Sequence, residues 1–409
     1  MRNLLIYSFL CLISIVTAFS QEIKSLKVER ADDFMAPPIL RQGSGDRLSV
    51  TFDIIGDSPE YLRYRISHLN ADGSKSLLMD SEFLGSFNEF EIDDYAYSDN
   101  TYIHYVNYRI EIDEDAIPFK TSGDYRIEIF PEGEPDKIIA EIPFSVSENI
   151  IGVKGNVTGS TDKGFNTEYQ QLSFNIDATS LGNINPYQDL VVTIEQNMDA
   201  KGKRFIKGPQ RVNGNLIEYG HKPELIFEAS NEYRRFETVR ADYPGLHVDS
   251  VKYYDGINHA WIQPDDPRKE KRYTYDQTQN GRFKINEYNS TDPNLSADYI
   301  MVHFSLVPPD TNVREIFLQG EFTQNNLDNA SLMRYDWNDG LYHADLLLKQ
   351  GSYNYQYVAL LDQSGQSDPA PIEGNKYETQ NEYLVLVYFR PPGARADRLF
   401  SSSQFFFQP

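Results

Sequence analysis

The sequence predicts an all-β protein built of three sandwich domains in series. Three observations carry that expectation. Apolar and polar residues alternate with period two from about residue 24 onward, the mark of half-buried strands. The alternating segments recur at a spacing of roughly ten residues with turns between them, as antiparallel sandwiches require. The composition leans the same way: 28 Tyr and 24 Phe favour strands, and 25 Gly and 21 Pro punctuate them. No long stretch has the apolar spacing of a helix.

The first element is a leader. Met1-Arg2-Asn3 opens a short positive start, an apolar run covers residues 4–18, and Ala18-Phe19-Ser20 has the small-x-small form that signal peptidase cuts after. A signal peptide over 1–20 is expected, with the mature chain beginning at Gln21. A run of roughly 15 residues is short against the ~20 that span a bilayer. The single cysteine, Cys11, lies inside this run and follows Phe9-Leu10, which is no lipoprotein box. Cleavage therefore leaves a chain without disulfides or thiol chemistry, exported and held together by packing area.

Strands follow in order. Leu62, Tyr64, Ile66 and His68 share one face, with Arg63, Arg65 and Ser67 on the other. A short helical turn is expected within 76–84. His104, Val106, Tyr108, Ile110 and Ile112 repeat the pattern, as do Tyr125, Ile127 and Ile129 after the turn Ser122-Gly123-Asp124. Leu190, Val192 and Ile194 do so again. Domain boundaries are expected near 148 and 296, giving domains over 21–148, 149–296 and 297–409. The Pro-bounded, mixed-charge segment 264–272 reads as a solvated hairpin tip.

The search for chemistry excludes more than it finds. With 38 Lys plus Arg against 61 Asp plus Glu, the formal charge is −23. That sum argues against nucleic-acid binding and against docking on anionic lipid. Seven His are scattered, none at the i, i+2 or i, i+4 spacing of a local metal pair. No nucleophile elbow, phosphate loop, dinucleotide fingerprint or EF-hand spacing is present. Acidic runs such as 111–115 and Asp93-Asp94 read as solvated loops. The residues favour a binding or structural protein over an enzyme, with no catalytic, cofactor or metal site expected.

Several segments together resemble a known family. They are 63–72 (RYRISHLNAD), 82–94 (EFLGSFNEFEIDD), 185–197 (NPYQDLVVTIEQN), 231–240 (NEYRRFETVR), 280–285 (NGRFKI), 297–306 (ADYIMVHFSL), 351–358 (GSYNYQYV) and 381–399 (NEYLVLVYFRPPGARADRL). In this order they are similar to the plug family of the Bacteroidota type 9 secretion system. The resemblance implies a non-enzymatic periplasmic plug that closes the periplasmic side of the large outer-membrane β-barrel translocon. Its partner would be that barrel, with association to the outer membrane through protein and no direct lipid insertion. The family carries no catalytic residues to transfer. Aromatic clusters that could anchor such a partner are Tyr253-Tyr254 and Phe405-Phe406-Phe407; the competing reading of each is ordinary core or tail packing.

The third domain has a second, more distant resemblance. Segments 317–322 (FLQGEF), 340–344 (GLYHA) and 348–358 (LKQGSYNYQYV) look like the early-set, immunoglobulin-like sandwich of glycogen-binding modules. Those modules stack two Trp on sugar faces. Here Asn325 stands where the first would fall, and 362–367 contains no aromatic. The sandwich is expected to be kept and the sugar platform lost. The alternative function, a periplasmic or surface glycan-binding protein, would be favoured by exposed, co-planar aromatics on one sandwich face.

Overall fold

The structure is a computed structural model that describes residues 23–311, 313–361 and 366–409. The signal peptide expected over 1–20, with Cys11, lies outside the described residues, as do 362–365. Nearly all regular structure is strand; the helices are turns of three or four residues, among them Asp80–Phe83 inside the expected 76–84.

The first unit is a sandwich of two sheets drawn from residues 23–147. One sheet has the order Ile23–Arg30, Arg47–Ile55, Tyr105–Asp113, Tyr95–Tyr97. The other runs Ile39–Arg41, Ala140–Ser147, Gly123–Pro131, Leu62–Leu69, Phe90–Ile92. Alternation places the core: Val50, Phe52, Val106, Tyr108, Tyr125, Ile127 and Ile129 meet between the sheets and are inaccessible to solvent. Each such side chain contributes about 1.5–3 kcal/mol of burial. His104 departs from the expected pattern. It precedes its strand and stays exposed beside Asp57.

The second unit is not contiguous. Its first sheet has the order Gly152–Thr158, Tyr169–Asp177, Leu216–Tyr219, Arg211–Asn213, with Ile226–Glu228 also paired to Tyr169–Asp177. Its second sheet runs Arg204–Ile206, Leu190–Gln196, Glu382–Phe389, Arg398–Phe406. Val192 lies opposite Val387, and Ile194 opposite Val385. The two sheets close on Phe174, Ile176, Val192, Ile194, Val385 and Val387.

The third unit is inserted between those halves. One of its sheets has the order Val248–Tyr254, Ile257–Ile262, Tyr299–Leu306, Leu341–Lys349, Arg334–Asp336. The other is built on Gly351–Leu360, which pairs with Arg234–Glu237, Phe283–Ile285, Glu315–Gln319 and Ser367–Asp368. This corrects the expected division at 296 into 149–296 and 297–409. Strand Ile257–Ile262 pairs directly with Tyr299–Leu306 across that position, and 382–406 belongs to the second unit. Period-two alternation shows that a segment is a strand and says nothing about which sheet it joins. The entry and exit of the insert lie side by side, with Lys376 N donating to Ser230 O at 2.7 Å.

Polar clusters fasten the units. Between the first and third, the Asp53 carboxylate accepts from Tyr299 Oη and Lys349 Nζ, both at 2.7 Å. Lys349 also donates to Asn294 O and sits 4.0 Å from the Tyr105 ring centre. All four of Asp53, Tyr105, Tyr299 and Lys349 are buried. Burial pushes the Lys349 amine below its ordinary range, against the pull of Asp53. Between the first and second, Tyr388 Oη donates to Asp124, whose other neighbour Lys203 reaches Glu195 at 3.3 Å. Gly123 stands at this junction with φ +147°, and a Cβ there would fall 2.5 Å from His68 Nε2. Only glycine fits that conformation and that space. Between the second and third, Arg282 pairs with Glu382 at 2.6 Å, and Gln170 Nε2 donates to Tyr377 O and Thr379 O.

The segment 264–272 is largely exposed, as its charges implied, but it is not a hairpin tip and two of its residues reach inward. Asp265 is buried and accepts from Tyr355 Oη, Tyr357 Oη and Arg234. Arg234 and Arg268 both reach Glu373, which is inaccessible. Burial opposes the Asp265 charge, but Arg234 outweighs it and the carboxyl is held down at about 2.

Candidate functional site

The outer face of the third unit's five-stranded sheet collects the chemistry that the fold leaves exposed. Alternation on Tyr299–Leu306 sends Val302, Phe304 and Leu306 into the core and Met301, His303 and Ser305 outward. Register carries the outward row across the neighbours: His303 lies opposite Trp261 on one side and Asp345 on the other, and Lys252 lies opposite His259. Side chains on one sheet face at these spacings must touch.

The rings form a ladder. Tyr254 stacks on His259 with centroids 3.7 Å apart, His259 on His303 at 5.2 Å, and Trp261 on His303 at 4.7 Å. Interplanar angles in these pairs are 14°, 7° and 17°. Lys252 Nζ lies 5.2 Å from the Trp261 ring centre, a cation–π contact. A hydrogen-bonded chain orients the imidazoles. His303 Nδ1 donates to Asp345 Oδ1 at 2.6 Å, so its Nε2 accepts from His259 Nδ1 at 2.9 Å. His259 Nε2 is then left bare and buried without a partner. Burial, and then the neighbouring His303, hold the His259 pKa below its ordinary value. The hydrogen bond from His303 holds the Asp345 carboxyl low.

At the edge of this face an open cleft of about 760 Å³ includes both tryptophans, Trp261 and Trp337, in its lining. Trp337 is 89% exposed, on the turn after Arg334–Asp336, and meets Tyr335 edge to face at 4.8 Å. His343 joins Asp339 at 2.9 Å below it. Tyr253 stands apart from this row: it lies opposite Asn258, on the core-side parity shared with Val251, and its ring meets Tyr102 of the first unit at 4.8 Å. Leaving an indole in water forgoes about 2–3 kcal/mol of burial. Trp, Tyr and Arg are the residue types that dominate binding energy in protein interfaces.

Of the expected anchors, Tyr253 and Tyr254 lie on the edge strand of this sheet, 56% and 41% exposed. The other cluster divides. Phe406 is exposed, Phe405 is half-buried against the second unit's core, and Phe407 is buried with 5% exposure. Alternation on Arg398–Phe406 turns Phe405 towards the sandwich, and Phe407, just past that strand, is buried, so both are packed. Sequence reasoning missed Trp261, Trp337, His259 and His303. No local signal existed: each parity of Ile257–Ile262 carries one polar and two non-polar residues, so the outward turn of His259 and Trp261 is set by pairing alone. Among the described residues, no group of three His, Cys, Asp or Glu is arranged to hold a metal ion.

Residues 23–148 match the family profile described as the type 9 secretion system plug protein first domain. A crystal structure of a hypothetical protein from Parabacteroides merdae is 36% identical, covers 95% of this chain and 98% of its own, and superposes with a TM-score of 0.92. Two further structures have TM-scores too low to carry an argument. The alkylpurine DNA glycosylase AlkC of Pseudomonas fluorescens gives 0.18 at 14% identity, covering 31% of this chain and 30% of its own. The alpha-2-macroglobulin of E. coli gives 0.19 at 11%, covering 96% and 23%. No curated protein matches the chain.

Proposed function

We propose, from the premise that this chain belongs to the type 9 secretion system plug family, that it closes the periplasmic mouth of the system's outer-membrane barrel by occupying it. Membership itself gives a role in type 9 secretion and association with its machinery. Among the described residues no helix is long and apolar enough to cross a membrane.

The observation that carries the steric reading is the interlocked build. A plug must be wide, stiff and unable to thread a pore. Three sandwiches, each roughly 30 Å across, are fastened by buried ion pairs and by an insertion whose two ends are pinned together. The work is mechanical and calls for no reacting group. Tyr254, Trp261 and Trp337 are the contact face we assign to the partner, with Lys252, Arg334 and the His–Asp pairs as its polar rim. The net charge acts mainly on the rate of encounter, and the aromatic anchors on the lifetime.

The ring ladder does not favour glycan binding. Its rings are parallel rather than co-planar: they stack face to face and spend their faces on one another. Trp337 stands off the ladder, exposed, as a single ring rather than a two-ring platform. The test is a deletion strain and a tagged chain. Deletion should make the outer membrane leak small solutes, and the barrel should co-purify with the tagged chain from detergent extracts. Unchanged permeability with no barrel recovered would refute the proposal.

A further inference from the structure

We propose that the seam between the first and third units receives an extended polypeptide segment, which adds as a strand beside residues 140–143. The second sheet of the first unit has a half-filled edge lane. Strand Ile39–Arg41 pairs in parallel with 145–147 only: Ile39 opposite Ser145, Leu40 opposite Val146, Arg41 opposite Ser147. Upstream, Pro37-Pro38 turns the chain away, and no described strand lies beside 140–143 on that side.

The backbone of that stretch shows what the lane lacks. Ser145 N donates outward to Pro38 O at 3.0 Å. By the two-residue period, Glu141 N–H, Glu141 C=O and Pro143 C=O point into the same lane. None of the three makes a hydrogen bond on that side to another described residue. Pro143 has no N–H, so a guest strand must donate at 143 and both donate and accept at 141. Edge groups left open in this way are usually blunted by a covering element. Here a cleft of about 690 Å³ covers them instead.

The cleft follows the strand rather than crossing it, since six consecutive residues, 138–143, line it. Leu26, Val28, Ile139 and Ala140, half-buried on the rim of the first unit's core, supply an apolar wall. The opposite wall comes from the other two units and is held in place. Lys201 Nζ donates to Gln324 O and Asn325 O at 3.2 and 3.0 Å, fixing the loop that faces the strand. A second cleft of about 590 Å³ shares Leu26, Ile139, Ala140, Gln324 and Asn326 and prolongs the groove. An apolar wall alone would suit a lipid chain. Backbone donors and acceptors in strand alternation ask for another backbone, and the wall asks for apolar side chains at every second residue. The occupant is therefore an extended segment of alternating apolar and polar residues. This inference stands apart from the plug reading, because it concerns a different cleft, between the units, and needs no barrel.

The test uses the chain from residue 21 onward and a fluorescein-labelled peptide of alternating Val and Thr, followed by anisotropy. Saturable binding is expected. Glu141→Pro, which removes the N–H with no strand partner together with the exposed pair to Arg126 at 3.0 Å, should weaken it at least tenfold, whereas Glu141→Ala, which removes the pair alone, should not. Trp337→Ala should leave it unchanged. As a measurement independent of any variant, the Glu141 amide should exchange with solvent at least tenfold more slowly when peptide is bound. Absence of binding, equal binding of the same peptide N-methylated at every second residue, full displacement by palmitate without loss of Glu141 protection, or unchanged affinity in Glu141→Pro would each overturn the proposal.

Discussion

Asp53 and Lys349 lie 296 residues apart and share a buried hydrogen bond. Removing one partner strands the other charge away from water. Lys349→Met should therefore cost about 3–5 kcal/mol in urea unfolding, while the double change Asp53→Leu with Lys349→Met should recover much of that loss. A single variant within 1 kcal/mol of the parent would contradict this account. Asp265 gives a signed expectation for pH. Its folded pKa of about 2 is depressed from an ordinary 3.8. The folded state thus binds fewer protons between those values, so its stabilisation is present above pH ~4 and drains away as pH falls towards 2. The amount is on the order of 2 kcal/mol. Thermal midpoints measured from pH 5 down to 2 should fall for the parent and fall less for Asp265→Asn. These residues also show why part of the molecule was illegible in sequence. Asp53, Tyr105, Glu195 and Tyr299 all sit on the parity that alternation reads as solvent-facing. Alternation identifies the face that packs inside a sandwich; it carries no sign that a second unit will cover the other face.

At the scale of elements, strands such as 62–69, 105–113, 123–131 and 190–196 were readable because each buries one face against a single core. The pair Glu382–Phe389 and Arg398–Phe406 was readable as strands but not as members of the second unit. Their partner Leu190–Gln196 leaves no local trace in them. The aromatic ladder was illegible for the same reason, since Trp261 and His303 meet only through the register of Ile257–Ile262 on Tyr299–Leu306. The pairing predicts an asymmetry in the Phe cluster. Phe407→Ala should cost about 3–5 kcal/mol through the cavity it leaves. Phe406→Ala should stay within about 0.5 kcal/mol. Equal effects in chemical denaturation would mean that the strand is not seated as described. A chain cut after residue 380 should lose the second unit, with rapid proteolysis across 150–229 and survival of a fragment near 23–148.

At the scale of the whole molecule, the three junctions make one body out of three cores. Calorimetry should show a single transition whose calorimetric and van't Hoff enthalpies agree, rather than a sequence of unit meltings. Well-separated transitions would show that the units move independently, and would weaken the case for a stiff plug. The contact face belongs to the same scale. Trp261→Ala combined with Trp337→Ala should leave the melting transition almost in place yet reduce recovery of the barrel with the tagged chain. Loss of stability without loss of recovery would reverse that assignment.

The inserted third unit also sets a timetable for assembly. A chain delivered N-terminus first presents the free edge of Leu190–Gln196 before Glu382–Phe389 is available to cover it. Throughout that interval the half-built sheet is a template for mispairing with another nascent chain. Closing the span between them directly would cost about 2–3 kcal/mol more than closing a ten-residue hairpin. Maturation of the insert removes most of that span by bringing Ser230 and Lys376 together. The insert must therefore mature before the sheet that encloses it, and variants that slow the insert should accumulate as aggregates of the second unit.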